Sequence, residues 1–245
     1  MEITRTILTN RSYSNMQTYL IIGASTGIGK ALSKQLADNG KKVYGTYLNN
    51  EIEPHENIST HQIDIREDVD LNFLPDSIDG IVYCPGSINL KPFGRLKPEQ
   101  FMEDFNLQVV GAIRVIQAAL DKLKIGENPS ILLFSTVAVQ QGYKFHSQVA
   151  SSKGAIEGLT RSLAAEFAPN IRVNAIAPSL TDTPLAQKLL NSEAKIQANA
   201  DRHPLKRIGS PSDISELANF LLSDKASWIT GQIFSVDGGM STLKI

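Results

Sequence analysis

Three glycines, Gly23, Gly27 and Gly29, fall in a G-x-x-x-G-x-G arrangement within IIGASTGIGKALSKQLADNG, directly after an apolar run. At a strand-to-helix turn such glycines permit a tight reversal and let the backbone come close to a pyrophosphate. A helix opening near Ile28 points its N-terminal amides and dipole at that anion. Ser25, Thr26 and Ile28 belong to the same turn and are expected to share the contact. A tight turn with no ligand is the bland alternative, but strand, turn and helix signals in the right order favour a dinucleotide. The second strand ends in Gly45-Thr46-Tyr47-Leu48 without the carboxylate that would bind an adenosine ribose and repel a 2′-phosphate. That absence favours NADP(H) over NAD(H), with Thr46 able to bond the phosphate, although no selecting arginine is evident. Four scattered histidines (His55, His61, His146 and His203) offer no zinc spacing, so no metal is expected. The one cysteine, Cys84, excludes an intramolecular disulfide and fits a reducing compartment.

The elements that must position these groups alternate along the chain. Strand candidates are TYLII (18–22), KVYGT (42–46), ISTHQI (58–63), GIVYC (80–84), SILLFS (130–135), RVNAI (172–176) and QIFSV (232–236). Between them, Phe101, Phe105, Val109, Ile113, Ile116, Leu120 and Leu123 step by three or four, as do Ile156, Leu159, Leu163 and Phe167. Asn39-Gly40 predicts a helix stop, and Ser210-Pro211-Ser-Asp213 a helix start. Strands alternating with helices predict an α/β fold, a single doubly wound parallel sheet of Rossmann type with helices on both faces. Only about seventeen residues separate the third and fourth strand candidates, and a proline lies among them. The crossover there is expected to be a very short helix or a loop.

With 24 Lys plus Arg against 25 Asp plus Glu, the net charge of −1 argues against a nucleic-acid or polybasic membrane partner. No apolar run approaches the roughly 18–20 residues of a membrane span. A soluble, cytoplasmic protein is expected. The first fifteen residues, MEITRTILTNRSYSN, are polar and lack the apolar centre and cleavage site of a secretory signal. They are expected to form a loose extension before Met16, or else an ordered arm over a neighbouring subunit.

Taken together, GASTGIG (23–29), Asp64, Gly86, Lys153-Gly-Ala, IRVNAIAPSLTDTP (171–184), PLKRIGSPSDI (204–214) and SWITGQIFSVDGG (227–239) resemble the short-chain dehydrogenase/reductase family. The resemblance runs over residues 16–245 as one domain. It implies strand order 3-2-1-4-5-6-7, a homodimer or homotetramer, a small-molecule substrate and NAD(P)(H)-dependent oxidoreduction. It also implies that Asp64 and Ile65 meet the adenine, that Gly86 borders the cofactor, and that Lys153 binds the nicotinamide ribose. Pro178, Thr181 and Thr183 would lie over the nicotinamide end.

One part of the family pattern is missing. Its active-site tyrosine, four residues before the lysine, falls on Val149, which can neither donate nor accept a proton. The serine thirteen residues earlier falls on Thr136, with Ser135 beside it, and the helix asparagine on Gln108. Two explanations compete. In the first, a rewired oxidoreductase, His146 takes the proton-donor role. It lies seven residues before Lys153, two helical turns, and so on one face with it if the helix reaches back that far. Lys153 then holds the ribose, and Thr136 or Ser135 binds the substrate oxygen. A loop histidine that caps the helix or binds backbone is the bland alternative, and Tyr143 and Cys84 are weaker substitutes. In the second explanation the protein binds a dinucleotide without turning anything over, in a regulatory or scaffolding role.

Overall fold

A computed structural model describes residues 16–244, so the expectation for residues 1–15 lies outside the described chain. The apolar runs form β1 (Thr18–Ile22), β2 (Lys42–Tyr47), β3 (Ile58–Gln62), β4 (Gly80–Tyr83), β5 (Ser130–Phe134), β6 (Arg172–Pro178) and β7 (Ile233–Val236). Among the described residues all seven pair in parallel, in the order β3-β2-β1-β4-β5-β6-β7.

Alternation along each strand divides the core in two. Tyr19 and Ile21 face one layer with Val43, Val82 and Leu132, whereas Leu20 and Ile22 face the other with Ile81, Ile131 and Val173. Strands buried on both faces read as near-continuous apolar runs, which is why they were legible. The first layer is closed by α1 (Gly27–Asp38) and α7 (Pro211–Leu222), which pack on one another. The second is closed by α3 (Gly111–Ile125) and α5 (Ser147–Phe167). Helix α7 starts at the predicted place, where Ser210 and Asp213 form a capping box.

Two local departures bear on the site. The period from Phe101 to Leu123 predicts one helix; instead α2 (Pro98–Phe105) and α3 are joined end to end by a π-turn over Asn106–Val110. The wider turn inserts one extra residue at the position of Gln108, and such bulges often sit at functional sites. Between β3 and β4 the crossover is a loop. Leu71, Leu74 and Ile78 from it enter the core, and Phe73 stacks at 3.7 Å on His61, with Tyr44 beyond at 6.1 Å. Short helices α4 (Ala138–Gln141) and α6 (Glu193–Arg202) border the carboxyl ends of β5 and β6. No helix of the described residues is long and apolar enough to cross a membrane.

Candidate functional site

Segments leaving the carboxyl ends of β1, β2, β3 and β4 enclose a cleft of about 800 Å³. This is where a doubly wound sheet presents its ligand site. The cleft gathers Gly23, Ser25, Thr26, Gly27, Ile28 and Gly29 with Thr46, Asp64, Ile65, Gly86 and Thr183. Gly23 and Gly27 hold left-handed backbone (φ +77° and +54°), and α1 begins at Gly27. Gly29 abuts the carbonyl of Gly23 so closely that a Cβ there would lie 2.2 Å from its oxygen. The turn therefore presents bare backbone to the cleft, with the positive end of α1 behind it.

Thr46 plays a part that the sequence does not reveal. It is buried, and its Oγ1 accepts the Gly23 N–H at 3.3 Å, so the hydroxyl ties the second strand to the glycine turn. Tyr47, Leu48, Asn49 and Asn50 continue the wall without a carboxylate. Asp64 is clamped by Arg66, which donates from Nε at 2.8 Å and from Nη2 at 2.5 Å. Those hydrogen bonds hold its carboxyl down at about 2. Arg66 also lines the cleft, and sequence reasoning passed over it.

A second cavity of about 440 Å³ adjoins the first, sharing Ile28, Cys84, Gly86, Ser87, Thr183 and Leu185 with it. Its walls come from the ends of β5 and β6, the start of α5 and the segment carrying α6. Lys153, Thr136, His146, Pro178 and Thr181 all line it. So does Val149, one turn before Lys153 on α5, and it is buried. The charged lining is wholly cationic: Lys153, Lys188, Lys195 and Arg202, with no carboxylate. Lys153 has its ammonium pushed down to about 8 by burial, with Asp104 and then Cys84 acting in the opposite sense. Burial raises the Cys84 thiol to about 12, which makes it an inert apolar neighbour.

The two hydroxyls nominated for the substrate oxygen differ. Ser135 also lines the cavity, but it is buried and its hydroxyl donates to Glu157 Oε1 at 2.9 Å, so it is already engaged by a carboxylate on α5. Thr136 makes only a long 3.4 Å contact to the Pro178 carbonyl and accepts from Ala138 N–H, leaving it the better placed of the pair. Helix α5 begins at Ser147, so His146 is its N-cap residue. It makes no side-chain cap bond, and its Nδ1 meets the Lys144 carbonyl at 2.7 Å. The ring also stands edge-on to Tyr143 at 5.5 Å.

Sequence reasoning missed a buried polar cluster. Asp104, on α2, accepts from Ser152 Oγ at 2.6 Å, from Gln108 Nε2 at 2.8 Å and from the Ser87 hydroxyl. Because Asp104 engages the amide nitrogen, Gln108 turns its Oε1 the other way, and this oxygen has no partner among the described residues. A Cβ added at Gly86 would lie 3.3 Å from that oxygen and 3.7 Å from Lys153 Nζ. The i, i+4 spacing of Asp104 and Gln108 was the available signal. Ser179 and His203 were also missed: both line the second cavity, hydrogen bonded at 2.8 Å. Among the described residues no cluster of His, Cys, Asp and Glu forms a metal site.

Residues 23–241 match the short-chain dehydrogenase family model described as enoyl-(acyl carrier protein) reductase. The chain is 31% identical over 238 residues to 3-oxoacyl-(acyl-carrier-protein) reductase FabG of Thermotoga maritima, covering 90% of this chain and 96% of that one. Among solved structures, 4-hydroxyisoleucine dehydrogenase complexed with NADH superposes with a TM-score of 0.84 at 26% identity, over 93% of this chain and 100% of that one. ElxO with NADP bound superposes with a TM-score of 0.82 at 25% identity, over the same shares of the two chains. The chain belongs to the short-chain dehydrogenase/reductase family. Its neighbours are oxidoreductases, and between them they hold both forms of the dinucleotide.

Proposed function

We propose that the protein is an NAD(P)(H)-dependent oxidoreductase acting on a carbonyl, alcohol or enoyl compound through a non-standard site in which Val149 stands where the family carries its tyrosine. The observation that carries this reading is the union of the two cavities. A glycine-walled dinucleotide cleft opens directly into a chamber holding Lys153 and Thr136. The residues present suit a dinucleotide. Bare backbone and the start of α1 would meet the pyrophosphate, Asp64 and Ile65 the adenine, and Lys153 the nicotinamide ribose, with Pro178, Thr181 and Thr183 over the ring. When bound, the nicotinamide supplies or accepts the hydride, the step that a side chain cannot perform. Thr136 holds the substrate oxygen, and an imidazole of the cavity wall handles the proton. His146 is the one nominated by its spacing from Lys153, and its ring lines the cavity.

NADP(H) is the favoured form, because residues 46–50 present no carboxylate to a 2′-phosphate. Residues 16–245 act as one domain, assembled as a homodimer or homotetramer in the cytoplasm. A second reading, a dinucleotide binder without turnover, is favoured by one observation: the wall at Val149 is apolar and buried. Titrating NADPH and NADH into the protein by fluorescence enhancement or calorimetry tests both. Micromolar binding of NADPH, tighter than NADH, supports the proposal, and turnover of any carbonyl compound then separates enzyme from binder. Failure of both dinucleotides to bind sinks the two readings together.

A further inference from the structure

Ser179 and His203 come from different parts of the chain, the exit of β6 and the exit of α6, yet they meet at the wall of the second cavity. The His203 ring is buried. Its Nδ1 lies 2.8 Å from the carbonyl of Asn199, which can only accept, so Nδ1 carries the proton. In the neutral ring Nε2 is therefore the acceptor, and the Ser179 hydroxyl 2.8 Å away donates to it. A hydroxyl bonded to an imidazole whose tautomer is fixed by a third group is the arrangement that activates an O–H for proton transfer. Carboxylates and cations both surround the ring, the cations being the more numerous. Asp237, after β7, is close enough for His203 to affect its carboxyl. Burial acts to raise that group, but hydrogen bonds from Ser241 and the Gly239 amide, with a share from His203, hold it below the usual range. The other charged groups lining the cavities that His203 borders are Arg202, Lys153, Lys188 and Lys195 in the second, and Arg207 with Asp213 in a smaller one. The phenol of Tyr143 and the ring of His146 line the second cavity too.

We infer that Ser179 and His203 are the proton-transfer pair of this enzyme, doing for a secondary alcohol or ketone what Val149 cannot. The inference rests on the oxidoreductase reading above and moves the proton from His146 to His203, the imidazole that is already bonded to a hydroxyl. In the oxidative direction the hydride leaves the alcohol carbon for an oxidised nicotinamide and the O–H bond breaks, its electron pair becoming the carbonyl π bond. The released proton goes to Ser179 Oγ as the proton of Ser179 crosses to His203 Nε2, leaving an imidazolium that solvent later neutralises. Reduction runs the same transfers backwards. The imidazolium gives its proton to Ser179, and Ser179 gives its own to the alkoxide formed as the hydride arrives.

The test uses the full chain with Ser179→Ala, which removes a single oxygen, and His203→Gln. Nitrogen-15 NMR of the cofactor-free protein, with the ring assigned by its loss in His203→Gln, reads the tautomer and titration of His203 without any turnover. Expected are a proton on Nδ1 and a moved titration midpoint in Ser179→Ala. A proton on Nε2, or an unmoved midpoint, overturns the pair. Steady-state rates with NADPH and a panel of small ketones and oxo acids should show kcat down by about 10²–10⁴-fold in both variants. KM should change by less than about threefold, and the limb of the pH profile that belongs to His203 should disappear. Rates within threefold of wild type would mean that the bond merely latches the α6 segment to β6. If His203→Gln does not fold, Ser179→Ala decides alone. NADPH titration of each variant keeps the two proposals apart. Wild type that binds no dinucleotide, or that binds NADPH and turns over nothing, refutes the oxidoreductase reading, whereas wild type that turns over while both variants keep its rate refutes the pair alone.

Discussion

Gly29→Ala separates the backbone geometry of the dinucleotide cleft from everything else. The added Cβ would lie 2.2 Å from the Gly23 oxygen and 3.0 Å from its carbonyl carbon, where side-chain carbons essentially never come within 3.0 Å. The two segments must therefore part by about 0.8 Å, and what must move is the glycine turn, not the end of a flexible side chain. Alanine returns about 1 kcal/mol of helix propensity, since Gly29 is helical. Overpacking costs about 1–3 kcal/mol, and an obstacle made of backbone puts this site at the upper end. The net loss is about 1–2 kcal/mol, or some 3–6 °C in melting temperature for a chain of this size. A displacement approaching 1 Å in the turn that meets the pyrophosphate should weaken NADPH at least tenfold, about 1.4 kcal/mol. Gly158→Ala is the matched control: it is helical, with no neighbour within 4 Å, so it should stabilise by about 0.5–1 kcal/mol and leave the Kd alone. Thermal melts and calorimetric titration on the three proteins decide the matter. Gly29→Ala melting with wild type and binding NADPH equally well would refute the close-approach reasoning.

Other outcomes follow from single contacts. Thr46→Val removes the acceptor of the Gly23 N–H and should cost about 1–3 kcal/mol by denaturant titration, with the ratio of NADPH to NADH affinity unchanged. Lys153 titrates near 8, so cofactor affinity should weaken as pH rises through that value in wild type and stay flat in Lys153→Met, measured by titration across the alkaline range. Ser135→Ala and Glu157→Gln should each destabilise, but their double variant should lose less than the sum, because both remove the same buried bond. Burial lowers the pKa of His61 below 6.5, so the unfolded chain takes up the proton first. The stability His61 contributes is thus present above about pH 6.5 and lost as pH falls, and melts of His61→Phe should show a shallower acid slope.

The strands and the glycine turn were legible because each is dictated by local chemistry, whereas the order of the strands came only from the resemblance to the family. Strands such as SILLF are buried on both faces and admit little but apolar residues. Gly29 has no room for any side chain. The helix after β4 was legible as a period but not in its break, since a π-turn at Asn106–Val110 leaves the apolar spacing on either side almost intact. Ser135 and Thr136 are neighbours, and only the position of Glu157 on another element decides which hydroxyl is occupied. Ser179 and His203 follow no spacing rule at all; their meeting is a product of tertiary folding.

The only tryptophan in the chain, Trp228, stands 98% exposed in the segment leading to β7, one of the two edge strands of the sheet. An indole in water emits differently from one under a protein surface. With no second tryptophan to blur it, the emission band of the native chain is a label already in place at that edge. Followed while the protein is diluted, a band that shifts would mean that another chain covers Trp228 at high concentration, and a band that never moves would mean that the indole faces solvent throughout.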